Sequence, residues 1–123
     1  MIMDLRERTK AFALEAILFT ASIPYNRATD NTCKQFIRCA TSVGANYRAA
    51  KRARSTPDFI NKIKIAEEEA DECIYWLDLL LPFEPGRSIE ISKLAKEADE
   101  LTAILVATLK TARLKQSMAF NNK

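Results

Sequence analysis

Apolar residues in this 123-residue chain recur at steps of three and four, most clearly between positions 59 and 80. There, one side of a helix carries the series Phe59, Ile63, Ala66, Ala70, Cys73, Leu77 and Leu80. No segment shows the strict alternation of apolar and polar residues that a half-buried strand requires. Only two glycines and four prolines interrupt the sequence. The pattern therefore predicts a few long helices joined by short turns.

Start and stop signals divide this pattern into four helices, at about 4–22, 30–53, 56–81 and 88–115, followed by a frayed tail at 116–123. The third helix has the clearest start, because Ser55 or Thr56 can cap it and Pro57 suits its first turn. The short connections favour an all-α fold, an antiparallel up-down four-helix bundle. A chain of 123 residues suits a single domain, 1–123, that is large enough to fold without disulfides or metal.

Several classes of function are excluded by residues that the sequence lacks. The chain has no histidine, so a Cys/His zinc site is impossible and a Ser or Cys nucleophile would lack its usual base. It has no glycine-rich phosphate loop. We therefore expect no enzymatic activity, no catalytic residue, no metal, no cofactor and no small-molecule substrate.

The remaining composition predicts a cytoplasmic protein. No stretch approaches the roughly 20 apolar residues that a membrane span needs, and charged residues appear from position 4. The three cysteines, Cys33, Cys39 and Cys73, show no CxxC spacing and fall on or beside apolar stripes. We interpret them as reduced thiols of the core.

The first and third predicted helices carry more apolar surface than one bundle can bury. Trp76 lies off the main stripe of the third helix, and Glu69 and Glu72 flank the same side. Carboxylates beside apolar surface need partners, and Arg38, Arg48 and Lys62 are the candidates. Surplus surface of this kind favours a homo-oligomer. The predicted subunit interface consists of Leu14, Leu18, Ile65, Glu69, Glu72, Trp76 and Leu79.

A basic block between positions 48 and 64 contains six Lys or Arg and one Asp. Such a ridge can hold phosphates of RNA or DNA, and repetition of the ridge around a symmetric assembly would strengthen its field. Tyr47 falls on the inward stripe, so stacking of single-stranded bases has little support. The predicted phosphate contacts are Arg48, Lys51, Arg52, Arg54, Lys62 and Lys64. Simple solvation of this ridge is the alternative interpretation.

Helices two and three also carry a family resemblance. The segments RCATSVGANYR from Arg38, ARS from Ala53, DFIxK from Asp58 and EAxExxYWL from Glu69 resemble the four-helix bundle family of 23S rRNA-intervening-sequence proteins. The family's motif residues correspond here to Arg38, Ser42, Asn46, Arg48, Arg54, Ser55, Phe59, Lys62, Glu69, Glu72, Tyr75 and Trp76. The chain departs from the pattern at Ala49, where the family often has an acid, which leaves the ridge more basic.

The resemblance implies a bacterial protein that forms a homopentameric ring. It implies RNA binding only through the context of the genes. Two hypotheses remain open: an oligomer that binds RNA or DNA through basic ridges, and a protein-protein interaction scaffold that binds no nucleic acid.

Overall fold

The computed structural model describes residues 4–122, which form an all-α fold of four α-helices without a β-strand. The helices are α1 (Leu5–Ala21), α2 (Asp30–Lys51), α3 (Thr56–Leu80) and α4 (Ser88–Asn121). Two short 3₁₀ segments, Leu81–Phe83 and Pro85–Arg87, connect α3 to α4. α1 and α3 each pack against α2 and α4. Within the described chain, no helix has both the length and the apolarity needed to cross a bilayer.

Helix starts follow the capping residues that the sequence indicates. The Asp4 carboxylate accepts a hydrogen bond from the Glu7 amide at 2.9 Å. The Ser55 hydroxyl accepts one from the Asp58 amide at 3.2 Å, with Pro57 in the first turn of α3. Because these side chains satisfy amides that have no partner inside the helix, they set where α1 and α3 begin.

The end of α4 differs from its prediction. The helix continues to Asn121, so the prediction of a frayed tail from residue 116 is wrong for 116–121, while Lys123 lies outside the described residues. The helix persists because residues 116–121 contain neither glycine nor proline, and the Asn122 amide still donates to the Met118 carbonyl at 3.1 Å.

The core is built from one stripe of each helix, as the spacing predicts. Its largest fully buried side chains include Phe12, Phe36, Ile63, Leu77, Leu101 and Leu105. Phe59 and Tyr47, both placed on predicted stripes, are only half-buried. All three cysteines are free thiols, and Cys39 and Cys73 are buried.

Gly44 allows α1 and α2 to approach closely. A Cβ atom at this position would lie 3.1 Å from the hydroxyl oxygen and 3.3 Å from the Cβ of Thr9, and Thr9 is buried. Glycine inside a helix costs about 1 kcal/mol relative to alanine. The close contact with α1 explains why a glycine occupies this helical position.

We expect Gly44→Leu to lower the free energy of unfolding by about 1–3 kcal/mol, because the larger side chain must displace Thr9 and separate the helices. The matched control is Gly44→Ala, whose single methyl group is partly offset by better helix propensity, so its stability should remain closer to wild type. Urea unfolding measures both. A Gly44→Leu protein as stable as wild type would show that the close approach is unnecessary.

Candidate nucleic-acid interface

One end of the molecule carries a group of cations at the junction of α2 and α3. Arg48 and Lys51 lie in the last turn of α2, and Arg52 and Arg54 lie in the connection to α3. All four are exposed. Within residues 4–122, none of them forms an ion pair, whereas cations elsewhere in the chain do. Their charges are therefore available to an external anion.

Three of these cations, Arg48, Lys51 and Arg52, border a cleft of about 470 Å³, here called the basic cleft. The basic cleft is lined by Asp4, Arg6, Tyr47, Arg48, Lys51 and Arg52. Its one acid, Asp4, already accepts the capping hydrogen bond from Glu7. The Lys51 ammonium lies 6.0 Å from the centre of the Tyr47 ring. The interpretation of Tyr47 as an inward core residue was therefore incomplete, because its ring also reaches this charged surface.

A second depression, here called the apolar groove, lies beside the basic cleft and has a volume of about 920 Å³. One wall comes from residues 50–59 and the other from residues 104–115 of α4. No described residue of α1 lines it. The groove exists because α4 has 34 residues and α1 only 17. The later turns of α4 therefore extend past the start of α1.

Two of the six predicted phosphate contacts are placed differently from the other four. Lys62 and Lys64 are half-buried on α3, and neither lines the basic cleft or the apolar groove. Lys64 also lies 3.5 Å from the Glu67 carboxylate. The structure therefore brings together Arg48, Lys51, Arg52 and Arg54, but does not add Lys62 and Lys64 to that group.

Two cations at this end were missed by the sequence reasoning. Arg6 lines the basic cleft, and Lys115 lines the apolar groove with Lys51 and Arg54. Both lie far in sequence from the basic block. A signal was present, because an up-down arrangement would bring the first turn of the first helix and the last turns of the fourth to the end of the second.

On α3, Glu69 and Glu72 are both paired within the chain with Arg38 of α2. Its guanidinium contacts Glu69 at 3.1 Å and Glu72 at 2.9 Å. The prediction that these carboxylates need a partner therefore identifies the right pair of helices. The other two candidates differ, since Arg48 and Lys62 form no ion pair within the described chain.

The same guanidinium also lies 3.2 Å from the Cys39 sulfur. Ligand atoms of Cys39, Glu69 and Glu72 lie within 4.8 Å of one another, a spacing that could suit a metal ion. Arg38 contacts all three residues and supplies the compensating positive charge. This arrangement is an arginine-centred ion-pair network that ties α2 to α3.

Trp76 completes this network. Its indole nitrogen donates to the Glu72 carboxylate at 3.1 Å, and the ring packs against the core. Burial alone would raise the pKa of Glu72, but the hydrogen bonds from Trp76 and Arg38 outweigh it and lower that pKa. Hydrogen bonding to Glu72 in turn raises the pKa of Arg38.

The predicted interface residues lie in two separate places. Leu14 is 51% exposed and Leu18 is 69% exposed, and both lie on the outer side of α1. On α3, Leu79 is 40% exposed, whereas Ile65 and Trp76 are half-buried. Exposed Ile17 extends the α1 surface and exposed Tyr75 extends that of α3. Glu69 and Glu72 are half-buried and engaged with Arg38 in their own chain.

A second ion-pair network, which the sequence reasoning missed, joins α1 to α4. Arg8 donates to Glu97 through two nitrogens, at 2.8 and 2.7 Å, and also contacts Glu100. These hydrogen bonds raise the pKa of Arg8. Glu97 and Glu100 are three residues apart, so both reach the same helix face. That spacing was the only available signal, since the pairing spans about 90 positions of sequence.

The fold and the paired helices define a small four-helix protein, and comparison with known proteins assigns its family. The 23S rRNA-intervening sequence protein family matches residues 3–107. The chain belongs to this family, as the motif resemblance indicated.

A solved structure shows the same fold. A protein of unknown function from the S23 ribosomal protein family of Bacteroides thetaiotaomicron is 31% identical, with a TM-score of 0.80. The similarity covers 87% of this chain and 99% of that one. No curated protein matches the chain.

We expect Arg38→Met to lower the free energy of unfolding at pH 7 by about 1 kcal/mol. This lies below the roughly 1.5–3 kcal/mol of a hydrogen bond to a charged group, because the Arg38 side chain is 49% exposed and solvent screens the pair. Since the folded state lowers the Glu72 pKa from its ordinary 4.5, this stabilisation is present above that pH. It disappears as the pH falls through the lowered value.

Urea unfolding between pH 7 and pH 3 tests this dependence. The matched control is Lys34→Met on the same helix, which removes only a largely exposed pair with Asp30 and should change stability by less than about 0.5 kcal/mol. An Arg38→Met deficit that is as large at pH 3 as at pH 7 would contradict the role of the ionised carboxylates.

Proposed function

We propose that this protein is a non-enzymatic homo-oligomer that binds RNA or DNA through the cations at the α2–α3 end. In this proposal the four helices form an antiparallel up-down bundle, and five copies form a ring. The observation that carries the nucleic-acid part is the set of four exposed, unpaired cations Arg48, Lys51, Arg52 and Arg54. They would contact phosphates, whose charge dominates the affinity of such sites.

The distribution of paired and unpaired cations supports this proposal. Arg8 and Arg38 hold carboxylates of neighbouring helices, so their charges serve the fold. Arg6 and Lys115 extend the α2–α3 group across α1 and α4. A group of like charges destabilises the folded chain through repulsion, and a bound polyanion would relieve that repulsion.

The two apolar surfaces support assembly as a ring. The exposed apolar residues Leu14, Ile17 and Leu18 lie on α1, whereas Tyr75 and Leu79 lie on α3. α1 and α3 each pack mainly on α2 and α4, so their outer sides are separate surfaces. A two-fold dimer uses one surface twice, whereas a closed ring joins two different surfaces of successive subunits. The separation favours a ring, and the number five comes from the family resemblance.

The remaining parts of the proposal follow from the sequence. A non-enzymatic role agrees with a chain that lacks histidine. Three free thiols support a location in the reducing cytoplasm. The protein would need no cofactor.

A protein-protein interaction scaffold is the second candidate. Exposed acids on α3, at Glu68, Asp71 and Asp78, lie close in sequence to exposed Tyr75 and Leu79. Such a mixed surface suits a protein partner. A pull-down from nuclease-treated lysate separates the candidates, because partners that depend on RNA disappear after treatment and direct protein partners remain.

We expect binding to fragments of 23S rRNA to weaken steeply as the salt concentration rises. Replacing Arg48 and Arg52 by Gln should reduce the slope of log K against log salt by about 0.7–0.9 for each phosphate that the variant no longer neutralises. Filter binding at several salt concentrations measures the slope. The charge-matched control replaces exposed Lys93 and Lys96 by Gln, which lie on the first half of α4 away from the basic cleft. No binding at low salt, or an equal reduction in the control, would refute the proposed site.

We expect Leu18→Asn to convert the oligomer to monomer in light scattering. Leu18 is 69% exposed, so the change removes interface area without opening the core. Trp76→Ala should act in the same direction, but it also removes core packing and is therefore less selective. The matched control is Ile89→Asn, because Ile89 is 72% exposed on α4 outside the proposed interface. A Leu18→Asn protein with unchanged mass would exclude this surface from the interface.

A further inference from the structure

We propose that the α2–α3 end selects single-stranded over double-stranded nucleic acid, with phosphates in the basic cleft and unpaired bases in the apolar groove. This inference rests on the proposed nucleic-acid function and names the substrate class of that site. It depends on the position of the two depressions relative to each other and on the residues that line them.

The basic cleft and the apolar groove are adjacent, because Lys51 lines both. A single strand presents a charged backbone along one edge and flat, weakly polar bases along the other. A duplex presents two charged backbones and keeps its bases paired inside. A charged cleft beside an apolar groove therefore matches the single strand.

The lining of the groove suits the bases of a nucleic-acid strand. Ala50, Ala53, Ile104 and Ala107 form apolar walls, and Phe59 supplies an aromatic ring. Stacking on such rings is the common way in which proteins hold unpaired bases. Thr56 and Thr111 add hydroxyl groups that can donate to and accept from base edges. The Thr108 hydroxyl already donates to the Ile104 carbonyl, and the Ser55 hydroxyl already accepts from the Asp58 amide.

Charge indicates that the molecule whose bases enter the groove is an anion. Three cations, Lys51, Arg54 and Lys115, line it, and no carboxylate does. The volume of about 920 Å³ lies in the range of roughly 300–1,000 Å³ that is typical of ligand sites. An acidic amphipathic helix of another protein would account for the groove but not for the basic cleft. A nucleic acid also explains the neighbouring basic cleft, which Arg48, Arg52 and Tyr47 line together.

The groove lies apart from the proposed subunit interface. None of the predicted interface residues on α1 or α3 lines it. In the proposed ring, Phe59, Ile104 and Ala107 would therefore lie outside that interface. The same site would be repeated once in every subunit, so a long strand could pass from one copy to the next.

The experiment compares a 12-nucleotide single strand with a duplex of the same sequence, measured by fluorescence anisotropy at low and moderate salt. Ala107→Phe fills the groove without changing any charge, because Ala107 is an exposed wall residue. The matched control is Ala103→Phe, one turn earlier on α4, where the alanine is exposed and does not line the groove.

We expect the wild-type protein to bind the single strand more tightly than the duplex. Ala107→Phe should weaken single-strand binding about tenfold, the effect of losing one stacked base, while duplex binding and the control variant remain unchanged. A fluorescent base analogue within the strand should report a base leaving the stack on binding in wild type but not in Ala107→Phe.

Three outcomes would overturn the inference. The duplex could bind as tightly as the single strand, or Ala107→Phe could behave like Ala103→Phe. In the third outcome, a glutamate-rich amphipathic peptide binds wild type but not Ala107→Phe, while the two proteins bind the single strand equally well. In the first two cases, salt-dependent binding that requires Arg48 and Arg52 would leave the proposed function intact. Only the absence of all nucleic-acid binding at low salt would remove both.

Discussion

The close contact between α2 and α3 is the interaction on which the rest of the structure depends. The fully buried residues of these two helices include small side chains: Cys39 and Ala40 on α2, and Ala66, Ala70 and Cys73 on α3. Small residues at a helix contact let the axes approach to about 8 Å. This proximity lets Arg38 reach Glu69 and Glu72 and lets the indole of Trp76 join the same network.

Differences in helix length then determine the shape of the α2–α3 end. α2 and α3 are joined by a short connection in which Ser55 caps the start of α3. The cations of that connection are therefore held between two helix ends. α1 is half as long as α4, and the apolar groove forms where α4 has no α1 partner. The α2–α3 end thus carries a charged surface beside an apolar groove that no residue in the described part of the chain fills. Glu69 and Glu72, in contrast, are paired with Arg38 of the same chain.

Local patterns predict most of the helices, because spacing, caps and proline act over a few residues. The stripe from Ile63 to Leu80 and the cap at Ser55 follow from these signals. Pairings between distant segments do not follow from these local signals, because spacing along the chain does not indicate which distant residue a side chain contacts. Arg8 with Glu97 is one example. Lys64 with Glu67 is a local pair, three residues apart on α3, that the prediction of the basic block as a phosphate site did not take into account. The groove also escaped prediction, because it arises from the relative ends of two helices.

The central claim is that the outer surfaces of α1 and α3 remain incomplete until copies assemble, and that the assembly binds a nucleic-acid strand. The most direct test is the solution mass of the unmodified protein with and without single-stranded rRNA at low salt. The account predicts five times the 13.9 kDa of one chain and a larger mass when RNA is added. A mass of 13.9 kDa at high protein concentration, unchanged by RNA, would contradict it.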